Sequence, residues 1–129
     1  MSFRKAIYSY LTTNCTLITA WYQPYETTRD TPKPYGVIKQ GPKTLSFDNK
    51  EAAFTEIEIW PYIDREVGSF HSNIDPIVRE IVGLLDKTTL TADGGDDFLL
   101  EYLDEGQDYY DEDLMAITRV IRFDLPTLR

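Results

Sequence analysis

Residues 54–62 read FTEIEIWPY, and the alternation inside this stretch decides the fold class. Glu56 and Glu58 fall on one side and Ile57 and Ile59 on the other, the period of two that a half-buried strand requires. One face of a sheet is therefore wet and the other is covered. What covers it comes next in the chain. Ile74, Ile77, Val78, Ile81, Leu84 and Leu85 recur at helical spacing and make a wide apolar stripe, with Arg79, Glu80 and Asp86 expected to face outwards. The helix begins either at Ser72 with Asp75 as a capping pair, or at Asp75 with Pro76 in the first helical position. Pro61 is expected to limit the strand before it.

Further from this centre, Phe3, Ala6, Ile7, Tyr10 and Leu11 share one face of an opening helix, with Ser2 as its cap and Asn14 as its stop. A short apolar stretch, Leu17 to Tyr22, precedes a polar loop punctuated by Pro24, Pro32 and Pro34. Tyr35 to Lys39 reads as a strand ended by Gly41-Pro42, with Thr44 to Asn49 pairing weakly against it. After a turn at Gly94-Gly95, Phe98 to Leu103 alternates again. Met115 to Leu125 is the last strand, with Ile121, Phe123 and Leu125 opposite Arg122 and Asp124. The order lacks a regular βαβ repeat. It predicts one α+β domain over residues 1–129, an antiparallel or mixed sheet with two helices packed on one face. Its expected core is Ile7, Leu11, Ile57, Ile59, Ile74, Val78, Ile81, Leu85, Ile121 and Phe123. The segment Thr27 to Ala53 is expected to be mobile in the free subunit and to order in part on assembly.

Charge excludes several functions. Residues 1–60 carry seven basic and six acidic side chains, whereas residues 61–129 carry six and sixteen, which leaves the chain at -9. Such a field repels phosphates, so specific nucleic-acid binding is not expected. The single cysteine, Cys15, cannot form an internal disulfide and reads as a small buried hydrophobe, which fits a reducing compartment. Neither a signal peptide nor a membrane-spanning run is legible.

Catalysis finds no support either. Asp93 to Asp113 holds ten acidic residues and no Lys or Arg, but lacks the ligand offsets and helical flanks of a calcium loop. It reads as a solvated hairpin loop, with Asp108, Asp111, Glu112 and Asp113 as candidate lumen or docking residues. The lone His71 sits before a helix, where a capping or surface role outweighs catalysis. Gly94-Gly95 lacks the spacing of a phosphate loop. No cofactor or metal is implied. Trp21, Tyr22, Tyr25, Tyr35, Tyr62, Tyr109 and Tyr110 lie outside the apolar stripes and are candidate interface aromatics, because a large ring with a polar handle suits a partly wet contact.

Four segments carry a family resemblance: the opening helix FRKAIYSYLTTN, the PYGVIK strand, the FTEIEIW strand, and the helix IDPIVREIVGLLD followed by the acidic hairpin closing in RVIRFDL. Together they resemble the tail terminator and tail-to-head joining proteins of long-tailed bacteriophages, also called tail completion proteins. The resemblance implies a sixfold ring that caps the tail tube and docks to the head connector or stopper, in the virion after assembly in the host cytoplasm. It implies partners in the tail tube protein and in other copies of itself, and neither catalytic residues nor a cofactor. A small acidic DNA mimic that binds a host protein is the alternative from another class.

Overall fold

A computed structural model describes residues 3–40, 43–45, 52–54, 56–64, 70–92, 95 and 97–125. Its centre is β5 (Glu56–Asp64), which pairs antiparallel with β2 (Tyr35–Gln40) on one side and with β10 (Ile121–Asp124) on the other. Outside β2 lies β1 (Trp21–Tyr22), the one parallel neighbour among the described residues, and outside β10 lie β7 (Asp97–Glu105) and then β6 (Thr88–Thr91). A short hairpin of β8 (Tyr109–Asp111) and β9 (Ala116–Thr118) joins the far end of β5, completing an eight-stranded mixed sheet. Helices α1 (Phe3–Asn14) and α2 (Phe70–Leu85) pack together on one face. The sheet curls around them. Helix α1 touches β1 and β2 near one edge and β6 at the other, where Phe3 meets Phe98 edge-on at 4.9 Å. The fold is thus the α+β arrangement expected from the alternation in β5 and the stripe in α2. All ten expected core residues are buried in one cluster between the helices and the sheet.

Several local readings are corrected. Pro61 does not stop β5, which runs on to Asp64. Gly36 directs its N–H to Ala20 O on the β1 side, so its pair with Pro61 is a non-hydrogen-bonded one. The N–H that proline lacks would instead have faced the opposite strand. There the expected strand Met115–Leu125 is interrupted. Thr118 pairs with Tyr62 and Ile121 with Ile59 in one unbroken register, while Arg119 and Val120, opposite Pro61 and Trp60, leave the ladder. The Thr118 hydroxyl donates to Pro61 O at 2.7 Å across the gap.

The first part of the expected strand 54–62 belongs to β4 (Ala52–Phe54), which pairs with β3 (Lys43–Leu45) in the register that β2 and β5 already share. Thr44 thus faces Ala53 and not the Tyr35–Lys39 strand. Within the segment expected to be mobile, Tyr35, Val37 and Ile38 are buried in β2. Residues 41, 42 and 46–51 of that segment lie outside the described residues, as do Ser2, the side chain of His71 and Gly94. Strand β6 was not expected at all, since TTLT offers a single apolar side chain.

Helix α2 begins at Phe70, ahead of both expected caps, and Asp75 points elsewhere, as described below. Glu80 and Asp86, expected to face outwards, each tie α2 to a neighbour. At a bulge of β7, where Leu103 is left opposite no partner, Asp86 Oδ1 accepts the Tyr102 N–H at 2.9 Å. Glu80 accepts the backbone N–H groups of Thr16 and Leu17, the Thr16 hydroxyl and the Cys15 thiol, so it fixes the chain just after α1. Burial alone would raise the Glu80 pKa, but these hydrogen bonds outweigh it and lower it from 4.5 to about 2. A depressed carboxyl stabilises the fold fully above its unfolded pKa and loses that contribution as pH falls through the folded value. Wild-type stability should therefore drop between pH 4.5 and about 2, and Glu80→Gln should be less stable near neutrality yet flatter across that window. Urea titrations of both proteins through the window check this. A variant with the wild-type slope would show that Glu80 is not the group responsible.

Candidate functional site

The interruption opposite Pro61 has a chemical consequence. Arg119 leaves the ladder on the helical side of the sheet and donates to three carboxylates: Nη2 to Asp75 at 2.8 Å, Nη1 to Glu105 at 2.8 Å and Nε to Asp108 at 2.7 Å. Gly106 allows the approach, for its N–H donates to Val120 O, and a Cβ there would lie 2.8 Å from Val120 Cγ1. Burial disfavours the charged guanidinium, yet its hydrogen bonds to Asp108, Asp75 and Glu105 raise its pKa above the ordinary arginine value. One cation thus holds α2, the end of β7 and the start of the acidic hairpin together.

The acidic segment is accordingly not a loop that water alone supports. Asp108 belongs to this ion-pair cluster, and Asp111, at the end of β8, accepts the Leu114 N–H at 3.1 Å. Glu112 and Asp113 are exposed in the turn. Sequence reasoning missed Arg119, because nothing in RVIRF distinguishes a cation that faces water from one that faces three acids.

The seven candidate interface aromatics separate by depth. Trp21, Tyr35 and Tyr62 are buried and belong to the subunit's own core, which corrects their assignment to an interface. The Trp21 ring lies over Gly36, where an added Cβ would sit 2.2 Å from Cζ3, so only glycine fits beneath it. Tyr35 and Tyr62 stack at 5.0 Å on the other face of the sheet, and Tyr22 meets Tyr35 edge-on at 5.7 Å. With Val37 and Ala116 these two tyrosines form a second small core. Burial raises the pKa of both phenols, and the Asp111 carboxylate adds to the effect at each. Tyr22 and Tyr110 are half-buried. Tyr109 and Tyr25 are the exposed ones, at 57% and 104% of a free side chain. Tyr25 adopts a left-handed backbone conformation, φ 71°, that a bulky residue rarely takes.

The fold brings part of both candidate sets together. Tyr25, Tyr62, Asp111 and Asp113, far apart in sequence, line one cleft of about 570 Å³ with Lys39 and Leu114. Lys39 Nζ sits 4.3 Å above the Trp60 ring, whose Nε1–H donates to Glu58. Burial lowers the Lys39 pKa, while Glu58 and Asp111 oppose that shift. A second cleft of about 570 Å³ lies on the helical side of β1, and Arg4 borders both. Among the described residues no group of three or more His, Cys, Asp or Glu side chains could hold a metal ion. The first cleft sets aromatic rings beside charges of both signs.

No family model matches the chain, and no curated protein matches it. One solved protein structure is similar at 11% sequence identity, covering 97% of this chain and 96% of that one, with a TM-score of 0.54. At that identity the likeness is one of fold alone.

Proposed function

We propose that this protein is a ring-forming joining subunit at the head-proximal end of a long-tailed phage tail, where it ends the tail tube and receives the head. The observation that carries the reading is the convergence of Tyr25, Asp111 and Asp113 with Arg4 and Lys39 on one cleft over the far face of β2 and β5, which gives a small domain a contact surface of rings and charges. The α+β arrangement with two helices on one face is also the one the family resemblance implies. A terminator must stop a polymer that would otherwise keep growing, so the face that meets the tube has to differ from the face that meets the head. The uneven charge of the chain, +1 over residues 1–60 and -10 over residues 61–129, is compatible with two such faces. Six copies would gather six times the charge of -9 around a lumen, and that field would keep an exiting genome from adhering to the wall.

Deleting the protein from the phage should leave heads and tails separate, with tails of abnormal length or blunt ends in negative-stain images. Adding the purified protein back should restore joining. Normally joined, infectious particles from the deletion would end this reading and favour an acidic DNA mimic, which should instead compete with DNA for a host protein.

A further inference from the structure

The cleft over the far face of β2 and β5 carries two polar features that the subunit itself leaves unsettled. One lies beneath it. Tyr35 is wholly buried with its ring stacked on Tyr62, and its hydroxyl has no hydrogen-bond partner among the described residues. Thr27 and Asp111, which line the cleft, both act on this phenol, and Thr27 lowers its pKa without reaching hydrogen-bond geometry. A buried polar group in that state marks a place where an outside partner is held. The other feature is in the walls. Arg4 and Lys39 line the cleft with Asp111 and Asp113, yet among the described residues no ion pair joins either cation to either acid. The Lys39 side chain leaves its cross-strand partner Glu58 and lies over Trp60, with burial lowering its pKa against the pull of Glu58 and Asp111.

The balance of signs selects the ligand. An anion alone would face Asp111 and Asp113, and a cation alone would face Arg4 and Lys39, so a molecule of either single sign meets repulsion from half of the wall. We propose that the cleft binds a small zwitterion with an apolar body, an α-amino acid. Its ammonium pairs with Asp111 and with the Thr27 hydroxyl, which in turn donates to the Tyr35 oxygen and so gives that buried group its partner. Its carboxylate lies towards Arg4 and Lys39, and its side chain rests on Val37 and Leu114, which also line the cleft. The space of about 570 Å³ is of the size that small-molecule sites have. This inference does not rest on the joining reading, since the ligand is held by a single subunit.

Titration of the full chain with L-phenylalanine, followed by the NMR signals of its two indole N–H groups, tests it. A saturable shift with Kd on the order of 1 mM or tighter is expected, the scale for a ligand of about a dozen heavy atoms. The Trp60 signal, assigned with Trp60→Phe, should move more than that of Trp21, which lines the other cleft. Phenethylamine lacks the carboxylate and 3-phenylpropionate lacks the ammonium, so each should bind about tenfold more weakly or worse. Lys39→Met and Asp111→Asn should weaken phenylalanine by a similar factor, and the asparagine keeps an acceptor for the Leu114 N–H. Circular dichroism of each variant establishes that it is folded. No saturation by ~20 mM, well above that scale, a half-ligand as tight as phenylalanine, a larger shift at Trp21, or unaffected variants would each overturn the proposal. Equal binding of N-acetyl-L-phenylalaninamide, the form the residue takes within a chain, would overturn it in favour of a partner's segment. Any of these results leaves the joining reading standing, and a failed deletion experiment would leave the amino-acid site untouched.

Discussion

Ile81→Ala should destabilise the isolated domain by roughly 2–5 kcal/mol, the range for truncating a fully buried aliphatic side chain. Ile81 is 0% exposed on the inner face of α2, in one cluster with Ile7 and Leu11 of α1 and with Ile57, Ile59 and Phe123 of the sheet. Its removal leaves a cavity where both helices and the sheet meet, so no neighbour can collapse into the space without leaving another contact. Equilibrium urea unfolding with an unchanged slope and a lowered midpoint is the expected result. A loss under about 0.5 kcal/mol is the scale of surface substitutions and would mean that this face of α2 does not point inwards.

Ile81 also illustrates what a sequence of this kind discloses. Periodicity locates a face, and wherever the face is apolar the direction is settled, because burial of the stripe dominates every alternative. The ten expected core residues were legible for that reason. The same wheel places Glu80 and Asp86 on the polar side, yet each is committed to a backbone N–H of a segment that arrives from elsewhere in the chain. Their direction was legible and their partners were not. Aromatic side chains outside the stripes were less decisive still. Tyr35 and Tyr62 belong to a second core on the far face of β2 and β5, which exists because the 23–34 segment and the β8–β9 hairpin return over that face. Nothing local to either tyrosine encodes that return. The acidic segment misled for a similar reason, since its lack of Lys and Arg suggested that water alone would surround it. The counterion is eleven residues past Asp108, released from the ladder opposite a proline nearly sixty residues earlier.

Replacing that counterion should unfold more than it loosens. Arg119→Met keeps most of the stem's volume and removes the charge, leaving Asp75, Glu105 and Asp108 facing one another in a partly dehydrated site. Breaking a buried pair by removing one partner costs about 3–5 kcal/mol, and the partial exposure of Asp75 and Glu105 argues for the low end, about 3. Urea midpoints of the variant and the wild type measure the deficit, and a loss under about 0.5 kcal/mol would mean that Arg119 does not hold the three elements together. The cluster also divides the acidic hairpin into two parts that one experiment can separate. Reversing Glu112 and Asp113 to lysine should move stability by no more than about 0.5 kcal/mol, since both are exposed in the turn. Reversing Asp108 and Asp111 as well should unfold the domain, for it places a cation beside Arg119 and deprives the Leu114 N–H of its acceptor. Urea midpoints of the double and quadruple variants check both statements. If the quadruple variant is as stable as the double, the Arg119 cluster does not hold the hairpin to α2.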